Sequence, residues 1–182
     1  LDPAGRTDEW PDIVTRPGRL CPYVYEELAH RLRARLDVPV YPFAYDWRYS
    51  NRVNGQRLAN FIRELRAKPG FSASTRFDVV CHSMGGLLIR HAIATAQAGK
   101  RVAPPFSRAV FIAVPHRGAL DAAYVLVRGD GMEFQYRRAL RVASRTLPSV
   151  YELLPSYPVA LTRAGKPVDP LVRGIWPADT IH

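Results

Sequence analysis

From residue 23 to residue 114, apolar residues follow two alternating patterns along the chain. In one pattern they recur every three or four positions, which predicts amphipathic helices. In the other they follow one another in short runs, which predicts strands buried on both faces. Strands of this kind that alternate with helices are typical of an α/β fold, a parallel sheet with helices on both faces. The predicted order is helix 23–36, strand 38–45, helix 51–68, strand 77–81, helix 84–98 and strand 108–114.

After residue 115 the alternation of strand and helix is lost. Short helices are predicted over 119–127, 134–145 and 147–155, a turn over 129–131, and a hairpin around Ala164 and Gly165. These elements resemble a cap that covers the strand ends rather than a continuation of the sheet. The predicted organisation is therefore a loop over 1–20, an α/β core portion over 21–130 and a cap-like segment over 131–182.

The length of 182 residues suits a single domain with a sizeable core. The chain begins with Leu1 rather than Met and shows no basic region followed by an apolar one; we interpret it as a piece of a longer protein, so the question of a signal peptide stays open. No apolar run approaches the roughly 18 residues that cross a bilayer. We expect a soluble, cytoplasmic or peripheral membrane protein rather than an integral one, and the sequence does not identify the compartment.

The net charge of +10 raises the question of an anionic partner. The basic residues are scattered at helix-surface spacings, and neither zinc-ligand spacing nor an RNA-binding motif is present, which argues against nucleic acid. Two interpretations remain: solvated helix faces, which we favour, or contact with an anionic membrane surface. The two cysteines, Cys21 and Cys81, do not establish a disulfide.

The segment CHSMGG places Ser83 between a buried strand and a helix. A serine exposed on such a nucleophile elbow needs a strained backbone and small residues two positions before and after it. Cys81 and Gly85 occupy those positions; Cys81 departs from the usual Gly-x-Ser-x-Gly pattern but is still small. Gly86 allows the helix to approach the strand closely. The alternative is that Ser83 only caps the helix.

An elbow of this kind also supplies an oxyanion donor. The free N–H groups at a helix N-terminus favour negative charge, and the N–H of Met84 is placed to bind the oxyanion of a tetrahedral intermediate. His82 precedes the nucleophile, and we expect its side chain to pack beside the elbow rather than act as the base.

Four segments carry a family resemblance. In order they are FAYDWRYS (43–50), VVCHSMGGLL (79–88), FIAVPHRGALDAA (111–123) and LPSVYELLP (147–155). Their order resembles that in the lecithin:cholesterol acyltransferase-like family of α/β-hydrolases, which includes lipases, and the resemblance runs from about residue 17 to residue 170. It implies an α/β-hydrolase-type sheet, a lipid or acyl-ester substrate, a covalent acyl-serine, no metal and no other cofactor.

Three further residues are candidates for shaping the site. Asp46 and Trp47 follow a predicted strand, at the edge of the sheet where sites form. They either shape the site or form, with Arg48, a structural ion pair beside a packed tryptophan. His116 follows the next strand after the elbow; because the base of the resembling family comes later in the chain, we favour a role in fixing the loop with Gly118.

The partners of Ser83 are the missing part of this pattern. A serine needs a histidine to take its proton and a carboxylate to orient that histidine, in the chain order Ser, acid, His in this fold. Asp130, Asp169 and Asp179 are acids in the right order, and only His182, the last residue, follows them. We therefore expect the acid and base to lie beyond residue 182, and the strand that precedes the second oxyanion donor to be missing from the front.

The sequence thus predicts a serine-dependent acyl-ester hydrolase or O-acyltransferase that acts on lipid-like esters. Nothing in it distinguishes water from an alcohol as the acyl acceptor. The alternative is a non-catalytic interaction or scaffold module with an α/β-hydrolase-like fold and an incomplete triad.

Overall fold

The computed structural model describes residues 25–98, 105–129, 136–158, 160–161 and 164–169. Within these ranges it combines helices with a small parallel sheet, which confirms the α/β class. The predicted loop over 1–20 and the acid and base candidates Asp130, Asp179 and His182 lie outside the described residues. The helices are α1 (Glu27–Leu36), α2 (Asn51–Arg66), α3 (Gly85–Ala98), α4 (Leu120–Arg128), α5 (Arg137–Ser144) and α6 (Pro148–Glu152), and the strands are β1 (Phe77–His82), β2 (Phe106–Ile112), β3 (Ala160–Leu161) and β4 (Pro167–Val168).

The centre of the structure is one β-α-β unit. β1 and β2 run parallel, with α3 between them in the chain, and they pair from Phe77 opposite Phe106 to His82 opposite Ile112. The register shifts once, between Phe77 and Val79. Because the strands are parallel, both end at the same edge of the sheet, and the residues that follow β1 and β2 meet there.

An apolar core lies between β1 and the helices α2 and α3. Leu88 and Ile89 of α3 are almost fully buried, and burying one such side chain contributes roughly 1.5–3 kcal/mol. The two helices approach closely where Gly55 faces His91: a methyl group added to Gly55 would lie 2.5 Å from the imidazole Cδ2. The core consists of Leu58, Ile62, Cys81, Leu88, Ile89, Ala92 and Phe106, with seven partly buried residues packed against it (Phe43, Tyr45, Phe61, Phe77, Val79, Ile93 and Val114).

The predicted strand 38–45 is wrong. This segment is not part of any strand, although Phe43 and Tyr45 pack against the core. Pro39 and Pro42 each lack the N–H that a ladder requires, which weakens the segment as a strand. Aromatic and β-branched composition alone therefore misled the prediction.

The expectation of helices on both faces of the sheet also needs correction. Burial alternates along β1, and β2 is exposed from Ser107 to Ile112. Val80, Val110 and Ile112 are 42%, 53% and 42% exposed. Within the part of the chain that the structure describes, β1 is thus buried on one face only, and β2 is exposed on both faces after Phe106.

The C-terminal helices α4, α5 and α6 form a second, smaller cluster. Its buried members are Ala122 and Leu126 of α4, with Leu147 and Val150 at α6. The predicted hairpin is confirmed: β3 and β4 pair antiparallel, and Gly165 between them has a φ of +75°. None of the helices in the described ranges combines the length and apolar character that crossing a bilayer demands.

Candidate active site at the ends of the parallel strands

The residues that follow β1 and β2 both have strained backbones. Ser83 has a φ of 51° and Ala113 a φ of 47°, the left-handed region that non-glycine residues rarely enter. Such residues cost of order 1–3 kcal/mol each and cluster at functional sites. The Ser83 N–H donates to the Ile112 carbonyl over 2.9 Å and so ties the two turns together. The strain expected at Ser83 is present, whereas an alanine gives no sequence signal for the second strained turn.

The turn at Ser83 leaves several polar groups available. Gly86 N–H donates to the Ser83 carbonyl over 3.1 Å, and Leu87 N–H to the Met84 carbonyl over 3.0 Å, which starts the helix. The N–H groups of Met84 and Gly85 and the Ser83 hydroxyl find no hydrogen-bond partner among the described residues. Ser83 is half-buried and Met84 is buried. A hydroxyl and two free donors therefore lie together at the N-terminus of α3.

The tightest glycine of this turn is Gly86 rather than Gly85. A methyl group added to Gly85 would lie 4.0 Å from Cys81 Cβ, an ordinary van der Waals distance, so the predicted crowding of these two positions is milder than expected. A methyl group on Gly86 would lie 2.5 Å from Val114 Cγ1 and 3.0 Å from the Phe111 ring. Gly86 thus permits the close approach of α3 to the end of β2.

Two side chains of the turn have partners away from Ser83. The buried Cys81 thiol donates to the Val110 carbonyl over 3.4 Å, and burial raises its pKa, which keeps it a neutral thiol. His82 is exposed, and its Nδ1 lies 2.8 Å from the Tyr25 hydroxyl. The contact that the structure describes for the His82 ring is thus with Tyr25.

Asp46 and Arg48 form an ion pair in the segment before α2, which is not preceded by the predicted strand. The guanidinium Nη2 lies 2.6 Å from Asp46 Oδ2, and the Arg48 N–H donates to Oδ1 over 3.0 Å. The hydrogen bond from Arg48 holds the pKa of the Asp46 carboxyl below its usual value. Asn54 Nδ2 donates to the Asp46 carbonyl over 2.8 Å, which fixes the segment to α2. The Asp–Arg pair of the structural interpretation is present, but Trp47 is 53% exposed rather than packed.

The C-terminal helices reach the start of α2 through contacts that the sequence did not predict. The Glu152 carboxylate accepts from Ser50 Oγ over 2.5 Å and from the Asn51 N–H over 2.6 Å. Ser50 Oγ in turn accepts from the Arg52 N–H over 3.1 Å, an N-cap for α2. Ser149 Oγ lies 3.5 Å from the Arg48 carbonyl. The hydrogen bonds of Glu152 and Ser149 join positions about a hundred residues apart and follow no periodic pattern.

His116 is held in the loop after β2. Arg90 Nη1 donates to its carbonyl over 3.1 Å and lies 3.4 Å from its Nδ1, and the imidazole packs edge-on against Phe111 with ring centroids 5.2 Å apart. Gly118 has a φ of +92°, and a methyl group there would overlap the backbone of Leu154. Both residues thus have close contacts in this loop, and the loop-fixing role of His116 stays a prediction.

The model of the lecithin:cholesterol acyltransferase family matches residues 24–180 of this chain. The chain belongs to the lecithin:cholesterol acyltransferase family. No curated protein and no solved structure matches it.

Membership of the lecithin:cholesterol acyltransferase family indicates lipid acyltransferase or esterase activity in general terms. Within the described residues, no histidine forms a hydrogen bond with a carboxylate: His82 contacts Tyr25, His91 contacts Thr95 and His116 contacts Arg90. Asp169, the acid candidate inside the described ranges, is an exposed residue that follows β4. The described part of this family member therefore contains the strained serine and its donors without an acid–histidine pair.

Proposed function

We propose that this protein is a serine-dependent acyl-ester hydrolase or O-acyltransferase acting on lipid-like esters through an acyl-serine intermediate. One observation supports this proposal above the others. Ser83 combines a φ of 51° with a hydroxyl that has no partner in the described ranges, and it directly precedes two free N–H groups. A serine that only capped α3 would accept a hydrogen bond from one of the first N–H groups of that helix.

In the proposed reaction, Ser83 Oγ attacks the ester carbonyl carbon as its proton passes to a general base. The carbonyl oxygen becomes an oxyanion, which accepts a hydrogen bond from the Met84 N–H. When the tetrahedral intermediate collapses, the C–O bond to the alcohol breaks, the alcohol takes the proton, and the acyl group stays on Ser83. Water or a second alcohol then attacks the acyl-serine in the reverse sequence. The proposal assigns the general base and its acid to residues outside the described part of the chain.

The remaining residues of the candidate site have supporting roles in this proposal. Cys81, Gly85 and Gly86 are the small residues that let the turn form, and His82 lies beside it. Asp46 and Trp47 contribute to the edge of the sheet at which the substrate arrives, and His116 fixes the loop after β2. The architecture that we propose around them is that of an α/β-hydrolase.

Contact with an anionic bilayer is kept as the second interpretation of the net charge of +10, beside the favoured one of solvated helix faces. On this second interpretation, binding to anionic vesicles should weaken steeply above about 0.15 M salt, where the Debye length is roughly 8 Å. Equal, salt-independent binding to neutral and anionic vesicles would remove it.

A scaffold function is the second candidate, favoured by the absence of an acid–histidine pair from the described residues. Hydrolysis of a soluble short-chain ester by the full-length protein distinguishes the two. Ser83→Ala should lower turnover by roughly 10⁴-fold or more. The control Cys81→Ala should retain turnover, because the thiol is buried and neutral. No turnover by the wild-type protein, or unchanged turnover by the Ser83→Ala variant, would favour the scaffold or another nucleophile.

A further inference from the structure

Tyr45 is a residue beside Gly85 to which the proposed reaction has given no role. It lies on the extended segment before α2, and its ring stacks on Phe43 with centroids 6.2 Å apart and an interplanar angle of 17°. The hydroxyl is the nearest group to a methyl group added to Gly85, at 3.8 Å, closer than Cys81 Cβ at 4.0 Å. Gly85 is the first residue of α3.

This position places the hydroxyl beside the N-terminal end of α3. In a helix every Cα–Cβ bond tilts toward the N-terminus, so an atom next to the Cβ direction of Gly85 lies toward that end. The free N–H groups of Met84 and Gly85 are at the same end. A side chain longer than a methyl at residue 85 would run into the Tyr45 hydroxyl, which gives the glycine a second purpose besides the turn.

The Tyr45 hydroxyl forms no hydrogen bond with any of the described residues, although the ring is packed against the core. Burial, and then the neighbouring Tyr25 and Cys81, raise the pKa of Tyr45 to about 12. The hydroxyl is therefore protonated across the pH range in which esterases are assayed, so it can donate a hydrogen bond.

We propose that the Tyr45 hydroxyl donates a hydrogen bond to the carbonyl oxygen of the ester bound at Ser83, together with the Met84 N–H. This inference rests on the proposed acyl-serine function. A donor directed at that oxygen is worth more as the oxygen becomes an oxyanion, because charge then develops on it in a site of low dielectric. It would act mainly on kcat.

The first test compares Tyr45→Phe with Tyr41→Phe in the full-length protein. Each removes one hydroxyl from the same segment, but Tyr41 is exposed and contacts Phe71 edge-on. Tyr45→Phe should slow fluorophosphonate labelling and lower kcat for a soluble ester by roughly 10²-fold, with little change in KM. Tyr41→Phe should match the wild type in both assays. Equal rates for Tyr45→Phe and the wild type would overturn the inference.

The second test separates chemistry from packing. Replacing Tyr45 with 3,5-difluorotyrosine keeps the ring and lowers the pKa of the hydroxyl, so kcat should fall with rising pH at a point where the wild-type rate is constant. A purely structural role predicts the same pH profile for both proteins, and that result would contradict the inference even if Tyr45→Phe unfolds. If the wild-type protein is not labelled at Ser83, the proposed function itself fails. If the wild type is labelled but the Tyr45 variants react at the wild-type rate, the proposed function stands and only the role of Tyr45 is rejected.

Discussion

The two buried clusters of this molecule are built in different ways. The serine unit (α2, β1, α3 and β2) surrounds a continuous apolar core and carries Ser83 at its edge. The C-terminal helices (α4, α5 and α6) have a smaller core of four buried residues. They reach the serine unit and the segments beside it through Glu152, Ser149 and the backbone beside Gly118. The serine unit is thus held by apolar packing, whereas the C-terminal helices are positioned by a few polar and backbone contacts.

The largest effect should come from breaking the backbone contact of the C-terminal helices. Gly118→Ala adds a methyl group that would lie 2.6 Å from the Leu154 carbonyl carbon at a φ of +92°, so it should destabilise the fold by about 3 kcal/mol. Gly70 also has a positive φ, +86°, but no atom within 4 Å of an added methyl, and Gly70→Ala should cost only about 1 kcal/mol. Urea unfolding measures both values; equal losses would show that the backbone contact at Gly118 is unimportant.

The next largest loss of stability should come from within the serine unit. Gly86→Ala would press a methyl group into Val114 and Phe111 and should cost about 1–3 kcal/mol, because a short β-branched side chain cannot move aside easily. Gly85→Ala meets ordinary contacts and should change stability by less than about 0.5 kcal/mol. Thermal unfolding of the two variants tests this order, and a reversal would mean that Gly85 is the crowded position after all.

The serine unit was largely predictable from the sequence because its elements obey simple periods. The helical spacing from Asn51 onward gave α2, and the apolar runs gave β1 and β2. The strained serine followed from a small-residue pattern around Ser83. The strand predicted over 38–45 was wrong because its aromatic and β-branched residues favour a strand, whereas its two prolines each lack an N–H for strand pairing.

The contacts at the start of α2 were not predictable for a different physical reason. The hydrogen bond between Glu152 and Asn51 links two polar residues at no characteristic spacing, and the local sequence around one does not predict the other. Ala113 adopts a positive φ without the glycine that would signal it. The role proposed for Tyr45 depends on the position of its hydroxyl beside Gly85, and the pattern of apolar residues does not predict that position.

The smallest of the three stability effects should come from the polar link between the two regions. Glu152→Ala removes the acceptor for Ser50 Oγ and the Asn51 N–H and should cost about 1–2 kcal/mol. Glu64 is exposed on α2 and has no side-chain partner among the described residues, so Glu64→Ala should stay within about 0.5 kcal/mol. Hydrogen exchange should show faster opening of residues 148–158 in Glu152→Ala; unchanged exchange there would mean that the link does not hold the C-terminal helices.

The central claim is that Ser83 is an activated nucleophile, and covalent labelling tests it most directly. The full-length protein is treated with a fluorophosphonate, digested, and the modified residue located by mass spectrometry. The account predicts one adduct, on Ser83, which disappears in Ser83→Ala and persists in the control Ser72→Ala, a change at an exposed serine. An adduct on another residue that survives in Ser83→Ala, or no adduct on the full-length protein, would contradict the account.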